Sequence, residues 1–317
     1  MTAFIIRRLA GLLFIVWGSV TVMFFLFFLL PDDPAELIAG GGGRAPDPQV
    51  VQNVREKYGL DKPVVVQYVT YLGRMATLDL GQSFRDNTEV TEIVKQRAPA
   101  SLRLAFWAIA IEASVGIGTG ILAAVKKYSF SDTLSTLGAA MLSATPVFVL
   151  AFLLQQLTGV YANTHGWPDW AKLPVQGIGP NAWALGVIPI NGQFEYLVQP
   201  AIVLACVSTV VVARLARTTM LEVGKQDYIR TARAKGLSER RITLHHSLRN
   251  AMIPVITYIG INFGVMVGSA VLTETVFNWP GLGSKIAVAA EGRDLPVLVG
   301  LTFVVVLVYG VADMLVD

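Results

Sequence analysis

Cysteine and histidine are nearly absent from this chain. The sequence has one cysteine, Cys206, within an apolar stretch, and three histidines, His165, His245 and His246. A single thiol excludes a disulfide framework and a cysteine-based zinc site. His245 and His246 are adjacent, so a helix would point them to different faces, which disfavours a shared metal ion. We therefore expect no metal site in this chain.

Charge is also scarce. Of the 317 residues, 15% are charged and 54% are hydrophobic, whereas about a quarter of the residues of a soluble domain are charged. No GxxxxGK[ST] phosphate loop occurs, because Gly224 and Lys225 are followed by Gln226 and lack the upstream glycine. A catalytic triad, a pair of catalytic carboxylates and a cofactor fingerprint are missing as well. We therefore expect neither a catalytic site nor a nucleic-acid partner.

Long apolar runs, in contrast, are abundant. About 20 apolar residues cross the hydrocarbon core of a bilayer as an α-helix, which satisfies its own backbone hydrogen bonds. The run at 181–191 is too short and contains Pro189, so we place it at the interface or in a loop. The sequence thus predicts an all-α integral membrane protein with six transmembrane helices. The six predicted spans are 9–30, 104–125, 133–158, 196–213, 251–273 and 295–312.

Lysine and arginine are unevenly distributed between the short loops. One side carries Arg7, Arg8, Lys126, Lys127 and nine basic residues within 214–250, whereas the opposite short loops carry three. Positively charged side chains cross a membrane poorly, so the richer side faces the cytoplasm. This distribution predicts that both termini are cytoplasmic.

Residues 31–100 form an insertion long enough to fold by itself. It contains eight basic and ten acidic residues and includes a glycine run at 40–43. We predict an extracytoplasmic subdomain in which one helix begins after Asp47 and ends at Gly59, and another begins after Pro63. Such a module could dock a partner or cover a pore, and the sequence leaves both alternatives open.

Residues 214–250 contain nine basic and three acidic residues. We predict a helix over 228–235 that ends at a left-handed Gly236, followed by a second helix that Ser238 caps and that enters the membrane through Pro254. A short helix of this kind could be a rigid docking site for another protein. From the charge alone we favour the alternative, contact with anionic lipid headgroups, at about 1 kcal/mol per basic residue.

The stretch 227–256, DYIRTARAKGLSERRITLHHSLRNAMIPVI, closely resembles a loop of ATP-binding-cassette (ABC) importer permeases of the peptide/nickel branch. In that family the loop docks on the ATPase subunit, and its anchor positions here are Ala232, Gly236 and Pro254. Arg230 occupies the position of a usual acidic residue, and the glycine-to-proline spacing is longer than in sugar permeases. Further matches are GLDKPVVVQY at 59–68, DLGQSF at 79–84, SATPVF at 143–148 and ETVFNWPGLG at 274–283.

This resemblance implies a type I ABC importer permease for dipeptides or oligopeptides in a bacterial or archaeal plasma membrane. It implies the partners of binding-protein-dependent transport, namely a second homologous permease, two ATPase subunits, an extracytoplasmic substrate-binding protein and membrane lipid. ATP and Mg would be bound by the ATPase subunits, and this chain would hold no cofactor. The ATPase-coupling residues that it implies are Asp227, Tyr228, Arg230, Thr231, Ala232, Arg233, Lys235 and Gly236.

The resemblance also implies a domain organisation. Residues 1–30 would hold the cytoplasmic N-terminus and the first helix, 31–100 the extracytoplasmic subdomain, and 101–317 a five-helix core with the coupling loop at 214–250. Chains of the family usually continue past the last helix into a short cytoplasmic tail, so we expect residues beyond Asp317.

Several intramembrane residues invite a functional interpretation. Glu112 could line the pathway or belong to a proton relay, but the cost of an intramembrane charge favours a partner-satisfied or protonated carboxyl packed between helices. Gly260, Gly264 and Gly268 form a stripe for helix packing, within this subunit or against the partner permease. We expect interhelical hydrogen bonding rather than substrate contact from Asn262, Gln155 and Gln156.

Two other functions compete with the importer permease. A secondary transporter or channel working alone would show intramembrane titratable pairs or related halves, whereas this chain has an isolated Glu112 and no convincing repeat. A membrane-anchored interaction or signalling protein would use the insertion and the basic loop without transport. The solute stays open among dipeptides, longer peptides, glutathione and nickel chelates.

Overall fold

The structure, a computed structural model, describes residues 2–28, 34–39, 47–180 and 182–316. The predicted glycine run at 40–43 and the end of the first predicted span lie outside the described residues. Within those residues, six helices are long and apolar enough to cross a membrane, which confirms the predicted number. They are Ile6–Leu26, Val90–Val125, Val147–Thr164, Gln193–Val223, Glu239–Ser269 and Leu295–Val316.

These spans are built from α-helices joined in places by wider π-helical turns. The α-helices are α1 (Thr2–Phe28), α2 (Pro34–Ala39), α3 (Pro48–Tyr58), α4 (Val64–Ala76), α5 (Val90–Ile111), α6 (Ile117–Val125), α7 (Phe130–Ala144), α8 (Val147–Leu154), α9 (Ala162–Thr164), α10 (Gln193–Val223), α11 (Asp227–Ala234), α12 (Glu239–Arg241), α13 (Leu248–Ser269), α14 (Val271–Val276), α15 (Leu282–Glu291) and α16 (Leu295–Val316). The π-helical turns are Glu112–Gly116, Gln155–Tyr161 and Ile242–Ser247, a 3₁₀ turn covers Asp169–Ala171, and the strands are β1 (Trp183–Ala184) and β2 (Ile188–Pro189).

The third span differs from the predicted one. The predicted range 133–158 runs across a break, since α7 ends at Ala144 and α8 begins at Val147, directly after Pro146. Proline removes a backbone donor and restricts the preceding residue, here Thr145, to an extended conformation. The 15 residues of α7 extend about 22 Å, which is less than the roughly 30 Å of a hydrocarbon core. The crossing helix therefore begins after the proline.

The helix that contains the second span begins earlier than the predicted span. It starts at Val90 rather than near residue 104, and it passes through Pro99 and the π-helical turn at Glu112. Several charged residues at its start lowered the local hydropathy, so the apolar run in the sequence marked only its later part. The last residues of the 31–100 insertion are therefore helical.

The chain folds as two compact units. The first unit contains Met1–Ser101 and Pro280–Leu315, and the second contains Leu102–Trp279 and Val316–Asp317. In the first unit, residues of α1, α4, α5, α15 and α16 share one apolar core. A loop of the insertion is tied to the start of α16, because Asp294 accepts hydrogen bonds from Ser83 Oγ at 2.5 Å and from the Phe84 N–H at 3.2 Å.

The predicted helix boundaries in the insertion are confirmed. Asp47 caps α3 by accepting the N–H of Gln49 at 2.9 Å. Gly59 ends the same helix in the left-handed conformation, with φ of +66°, which a residue without a Cβ adopts at low cost. The next helix, α4, begins directly after Pro63. These local signals are independent of the rest of the chain, which is why the sequence alone located them.

In the second unit, glycines bring α6 against α10. A Cβ added at Gly120 would lie 2.6 Å from the Ala213 carbonyl oxygen and 2.7 Å from the Ala216 Cβ. A Cβ at Gly116 would lie 2.7 Å from Val212 Cγ1. Backbones can approach this closely in a membrane only where side chains are small. The two glycines therefore interlock α6 and α10.

Candidate coupling segment

The segment between α10 and α13, residues 224–247, is here called the basic segment. It contains α11, a turn at Gly236, α12 and the π-helical turn Ile242–Ser247. Gly236 follows α11 with φ of +78°, so the predicted left-handed helix end is confirmed. Ser238 occupies the predicted N-cap position of α12, although its side chain accepts no hydrogen bond there. The chain then continues through Pro254 inside α13, as predicted.

A small apolar cluster holds α11 against the following turn. Ile229 and Ile242 are completely or almost completely buried, Ala232 is buried, and the partly buried Leu237 packs against them. The two isoleucines lie on different helical elements, so their contact closes the Gly236 turn. Burial of such side chains contributes about 1.5–3 kcal/mol each. The basic segment is therefore folded rather than a flexible polybasic loop.

Two polar contacts fix the direction of α11. Arg233 on α11 donates to both carboxylate oxygens of Glu239, at 2.7 and 3.3 Å, and this hydrogen bonding raises the pKa of Arg233. Tyr228, one turn earlier, accepts a hydrogen bond from Asn250 Nδ2 at 2.8 Å. One contact ties the end of α11 to α12, and the other ties its start to α13. Together they brace α11 at both ends.

The residues that the resemblance identified as coupling residues divide into two groups. Ala232 is buried and belongs to the supporting face, and Arg233 and Tyr228 make the bracing contacts. The others face outward, with Asp227 and Arg230 side chains 95% and 74% exposed and 3.5 Å apart. The exposed remainder of the set consists of Thr231, Lys235 and Gly236. The outward group forms a polar surface on a braced helix.

A partly buried ion pair supports the end of α10, from which the basic segment departs. Arg217 donates to Asp132 through Nε at 2.8 Å and Nη2 at 2.9 Å. Asp132 also accepts the backbone N–H of Tyr128 at 3.0 Å. The hydrogen bonds from Arg217 and Tyr128 hold the pKa of Asp132 below its usual range. Sequence reasoning missed this pair, although Asp132 in the first turn of a helix after two lysines was a usable signal.

The intramembrane carboxyl has a partner in the structure. Glu112 is fully buried, and Asn262 Nδ2 on α13 lies 3.0 Å from each of its carboxylate oxygens. The predicted partner-satisfied carboxyl and the predicted interhelical hydrogen bond of Asn262 are therefore both confirmed. Gly260, Gly264 and Gly268 lie along the same helix, with Gly264 buried. A Cβ added at Gly260 would contact Val316, and the packing role of the stripe stays a prediction.

Three buried glutamines hold residues 173–180 and Ala182, here called the glutamine-bound segment. Gln199 Nε2 donates to the Pro174 carbonyl at 2.9 Å, and Gln155 Nε2 donates to the Val175 carbonyl at 2.8 Å. Gln193 donates to the Ile178 carbonyl at 2.5 Å and accepts the Ala182 N–H at 3.1 Å. Sequence reasoning predicted interhelical hydrogen bonding for Gln155, and its Nε2 also donates at 3.3 Å to the carbonyl of Val276, the last residue of α14.

A short hairpin follows the glutamine-bound segment. The antiparallel pair β1 and β2 occupies most of the predicted short run at 181–191, so the prediction of a non-crossing loop is confirmed. Arg103 on α5 donates to the Gly186 carbonyl at 2.7 Å and lies 4.7 Å from the Trp183 ring. Trp107 donates its indole N–H to the Val187 carbonyl at 2.8 Å. The hairpin is therefore docked on α5.

Six helices that are long and apolar enough to cross a membrane indicate a multi-pass membrane protein. The chain belongs to the family of binding-protein-dependent transport system inner membrane components, whose profile matches residues 116–317. A second profile, for the N-terminal part of binding-protein-dependent transport system membrane components, matches residues 1–105. The chain is accordingly a transport subunit rather than an enzyme. Among the described residues, no group of three or more histidine, cysteine or acidic side chains is placed to hold a metal ion.

The chain is similar over nearly its whole length to named permeases. The dipeptide transport system permease protein of Alkalihalophilus pseudofirmus is 34% identical, covering 100% of this chain and 96% of the relative. The di/tripeptide transport system permease protein of Pseudomonas aeruginosa is 36% identical, with 99% and 98% covered. The glutathione transport system permease protein of Escherichia coli is 37% identical, with 94% and 90% covered.

Proposed function

We propose that this chain is the permease subunit of an ATP-driven ABC importer for dipeptides and short oligopeptides. The names of the relatives support this class of solute, since they specify dipeptides, di/tripeptides and glutathione. These molecules share a free amino group, a carboxylate and amide bonds within a small volume. A pathway that tolerates one of them meets the same polar groups in the others. We take dipeptides as the first substrates to test.

The chain would form half of the translocation pathway with a second homologous permease. Two ATPase subunits would bind ATP and Mg on the cytoplasmic side, and a substrate-binding protein would deliver the peptide on the other. The uneven distribution of lysine and arginine supports cytoplasmic termini and a cytoplasmic basic segment. The 31–100 insertion would then lie outside the membrane on the side of the binding protein.

The observation that carries this proposal is that α11 is packed through the buried Ile229 and Ile242, which supply most of the stability, and is oriented by a polar contact at each end. A helix that transmits a displacement has to resist bending, and the Arg233–Glu239 and Tyr228–Asn250 contacts tie α11 to α12 and α13. The outward face, with Asp227 and Arg230, is left for the ATPase subunit. Nucleotide-driven closure of the ATPases would push on this face and rock the membrane helices as rigid bodies.

The proposal is tested by dipeptide uptake into proteoliposomes that contain the complete complex, with ATP and a radiolabelled dipeptide. The informative variant is Gly236→Val, because Gly236 has φ of +78° and open space around a Cβ. Its effect is therefore local backbone strain of about 1–2 kcal/mol rather than a steric clash. We expect an assembled complex that hydrolyses ATP but has lost most of its uptake.

A matched control is Gly166→Val, since Gly166 has φ of +64° and equally open surroundings in a different loop. This variant introduces the same kind of strain and should leave uptake unchanged. Equal uptake by the Gly236 and Gly166 variants would contradict the coupling role of the basic segment. Uptake by the wild-type chain without ATP or ATPase subunits would contradict the importer function itself and favour a secondary transporter.

A further inference from the structure

The Glu112–Asn262 hydrogen bonds connect parts of the second unit that are far apart in the sequence. Glu112 begins the π-helical turn between α5 and α6, and Asn262 lies in the middle of α13. The amide nitrogen is 3.0 Å from both carboxylate oxygens, and neither side chain is open to solvent. π-Helical turns inside α-helices occur frequently at functional sites. A carboxyl within a membrane span is also costly enough to need a reason.

One side of this contact is a closely interlocked pair of helices. Gly116 and Gly120 place α6 against the α10 backbone so closely that an added methyl group would overlap with Val212, Ala213 or Ala216. Surfaces in such close contact cannot slide past one another without separating. The turn at Glu112, α6 and α10 therefore behave as one body.

The other side of the contact is connected to the basic segment. Arg233 and Glu239 join α11 to α12, and Tyr228 and Asn250 join α11 to the first turn of α13. The buried Ile229 and Ile242 fill the angle between these elements. A displacement of α11 is therefore passed to α13.

Between the two bodies, most of the described contacts are apolar. A cluster that includes Val212, Ala216, Met220, Met252 and Val255 fills the space between α10 and α13. Apolar packing in a membrane has little directional preference, because lipid tails are as apolar as the side chains. Hydrogen bonds prefer a narrow range of distances and angles. The Glu112–Asn262 contact is thus a directional connection within an otherwise smooth interface.

We propose that Glu112 is a positioning residue of the transport cycle, which with Asn262 latches α13 to the α6–α10 body. This inference rests on the proposed function. A push on α11 moves α13 and, through residues 224–226, the cytoplasmic end of α10, and the latch keeps the intramembrane parts of α13, α6 and α10 moving together. Without the latch, α13 slides along its apolar interface, and ATP is hydrolysed without a matching movement of the pathway.

The test uses the complete complex in proteoliposomes and measures peptide uptake and ATP hydrolysis in the same vesicles. The main variant is the double substitution Glu112→Leu with Asn262→Leu. Replacing both hydrogen-bond partners by apolar side chains can be nearly neutral for folding. Ser208, which also hydrogen-bonds Glu112, keeps its bond to the Ala205 carbonyl at 3.0 Å. We expect normal assembly and ATP hydrolysis, with uptake per ATP reduced about threefold or more, as loss of an interhelical hydrogen bond would allow. Glu112→Gln retains an acceptor for Asn262 and should keep most of the wild-type ratio.

The control is Ser114→Ala, because Ser114 lies in the same π-helical turn but donates at 2.6 Å to the Ala110 carbonyl of its own helix. It should keep the wild-type uptake per ATP. A double variant with the wild-type ratio would overturn the latch. If the double variant does not assemble, the test uses Asn262→Ser, whose side chain is too short to bridge both Glu112 oxygens. A wild-type uptake per ATP in that variant would also overturn the latch. A wild-type complex without ATP-dependent uptake would instead overturn the proposed function.

Discussion

The basic segment and the glutamine-bound segment are both connections within the second unit, but different interactions hold them. Charged side chains brace the basic segment, and the Arg233–Glu239 pair is about half exposed, with side chains 49% and 67% accessible. Neutral amides hold the glutamine-bound segment, and Gln193 and Gln199 are fully buried. The first segment is helical and satisfies most of its own backbone. The described residues of the second contain no helix or strand, so their backbone groups depend on side chains for partners.

This difference teaches what each segment can tolerate. An exposed ion pair contributes little to stability and is weakened by salt, so the basic segment depends mainly on its apolar cluster. A buried backbone group without a partner is expensive, so the glutamine-bound segment depends on each amide. The basic segment can therefore change its surface charges, whereas the other can change almost none of its supporting side chains. Four substitutions test this contrast, beginning with the largest expected effect.

Gln193→Leu should be the most destabilising of the four. It leaves both the Ile178 carbonyl and the Ala182 N–H without the partner that Gln193 supplies, at a cost of about 1–3 kcal/mol for each group. The free energy of unfolding in detergent, from denaturant titration, measures the loss. Gln226→Leu is the control from the basic segment, because the Gln226 side chain is exposed. Equal stability of the two variants would contradict the proposed difference between the glutamine-bound segment and the basic segment.

Gln155→Leu should cost about half as much, since it unpairs mainly one carbonyl, that of Val175, at about 1–3 kcal/mol. Its neighbour offers a close control, because Gln156 belongs to the same π-helical turn but is exposed. We expect Gln156→Leu to unfold like the wild type. Thermal midpoints of the two variants, measured side by side, show whether burial or residue type decides the effect.

Asp132→Asn examines an ion pair that is less accessible than the one in the basic segment. The pKa of Asp132 is lowered by Arg217 first, so its carboxylate stabilises the folded state fully above the unfolded pKa of about 3.9. That stabilisation is lost as the pH falls through the lower pKa of the folded state. Wild type should therefore be more stable than Asp132→Asn at pH 6, and the difference should shrink toward pH 3. A difference independent of pH would show that the charge is not the cause.

Arg233→Gln should have the smallest effect on stability, because both members of its ion pair are substantially exposed. A double-mutant cycle with Glu239→Gln isolates the interaction, and high salt should abolish it. The glutamine variants of the other segment should show no such salt dependence. A strong Arg233–Glu239 coupling energy that persists in high salt would contradict the distinction between the two segments.

Sequence patterns located the features that depend on local chemistry. The apolar runs gave the number of spans, Asp47 and Gly59 gave the limits of α3, and Gly236 gave the end of α11. Each of these rests on a rule that involves neighbouring residues only. The break at Pro146 was also local, but hydropathy averaged over the run hid it.

The supporting contacts could not be predicted in the same way. Asp132 and Arg217 are 85 residues apart, and Glu112 and Asn262 are 150 apart, so their pairing depends on which helices become neighbours. Gln193 and Gln199 sit in an apolar run that hydropathy describes only as a span. The glycine- and proline-rich stretch before them could have indicated their role. Such a stretch does not form a helix, so its backbone carbonyls need hydrogen-bond donors from side chains.

The π-helical turns have one more consequence for the spans that contain them. Each accommodates an extra residue within a continuous helix, and one residue corresponds to a rotation of about 100° around the helix axis. The stripe of side chains before the turn therefore does not continue into the stripe after it. After the turns that begin at Glu112, Gln155 and Ile242, the side chains that would have continued each stripe point in a different direction around the helix axis. A single span can thus satisfy two neighbours whose directions would be incompatible with one uninterrupted amphipathic face.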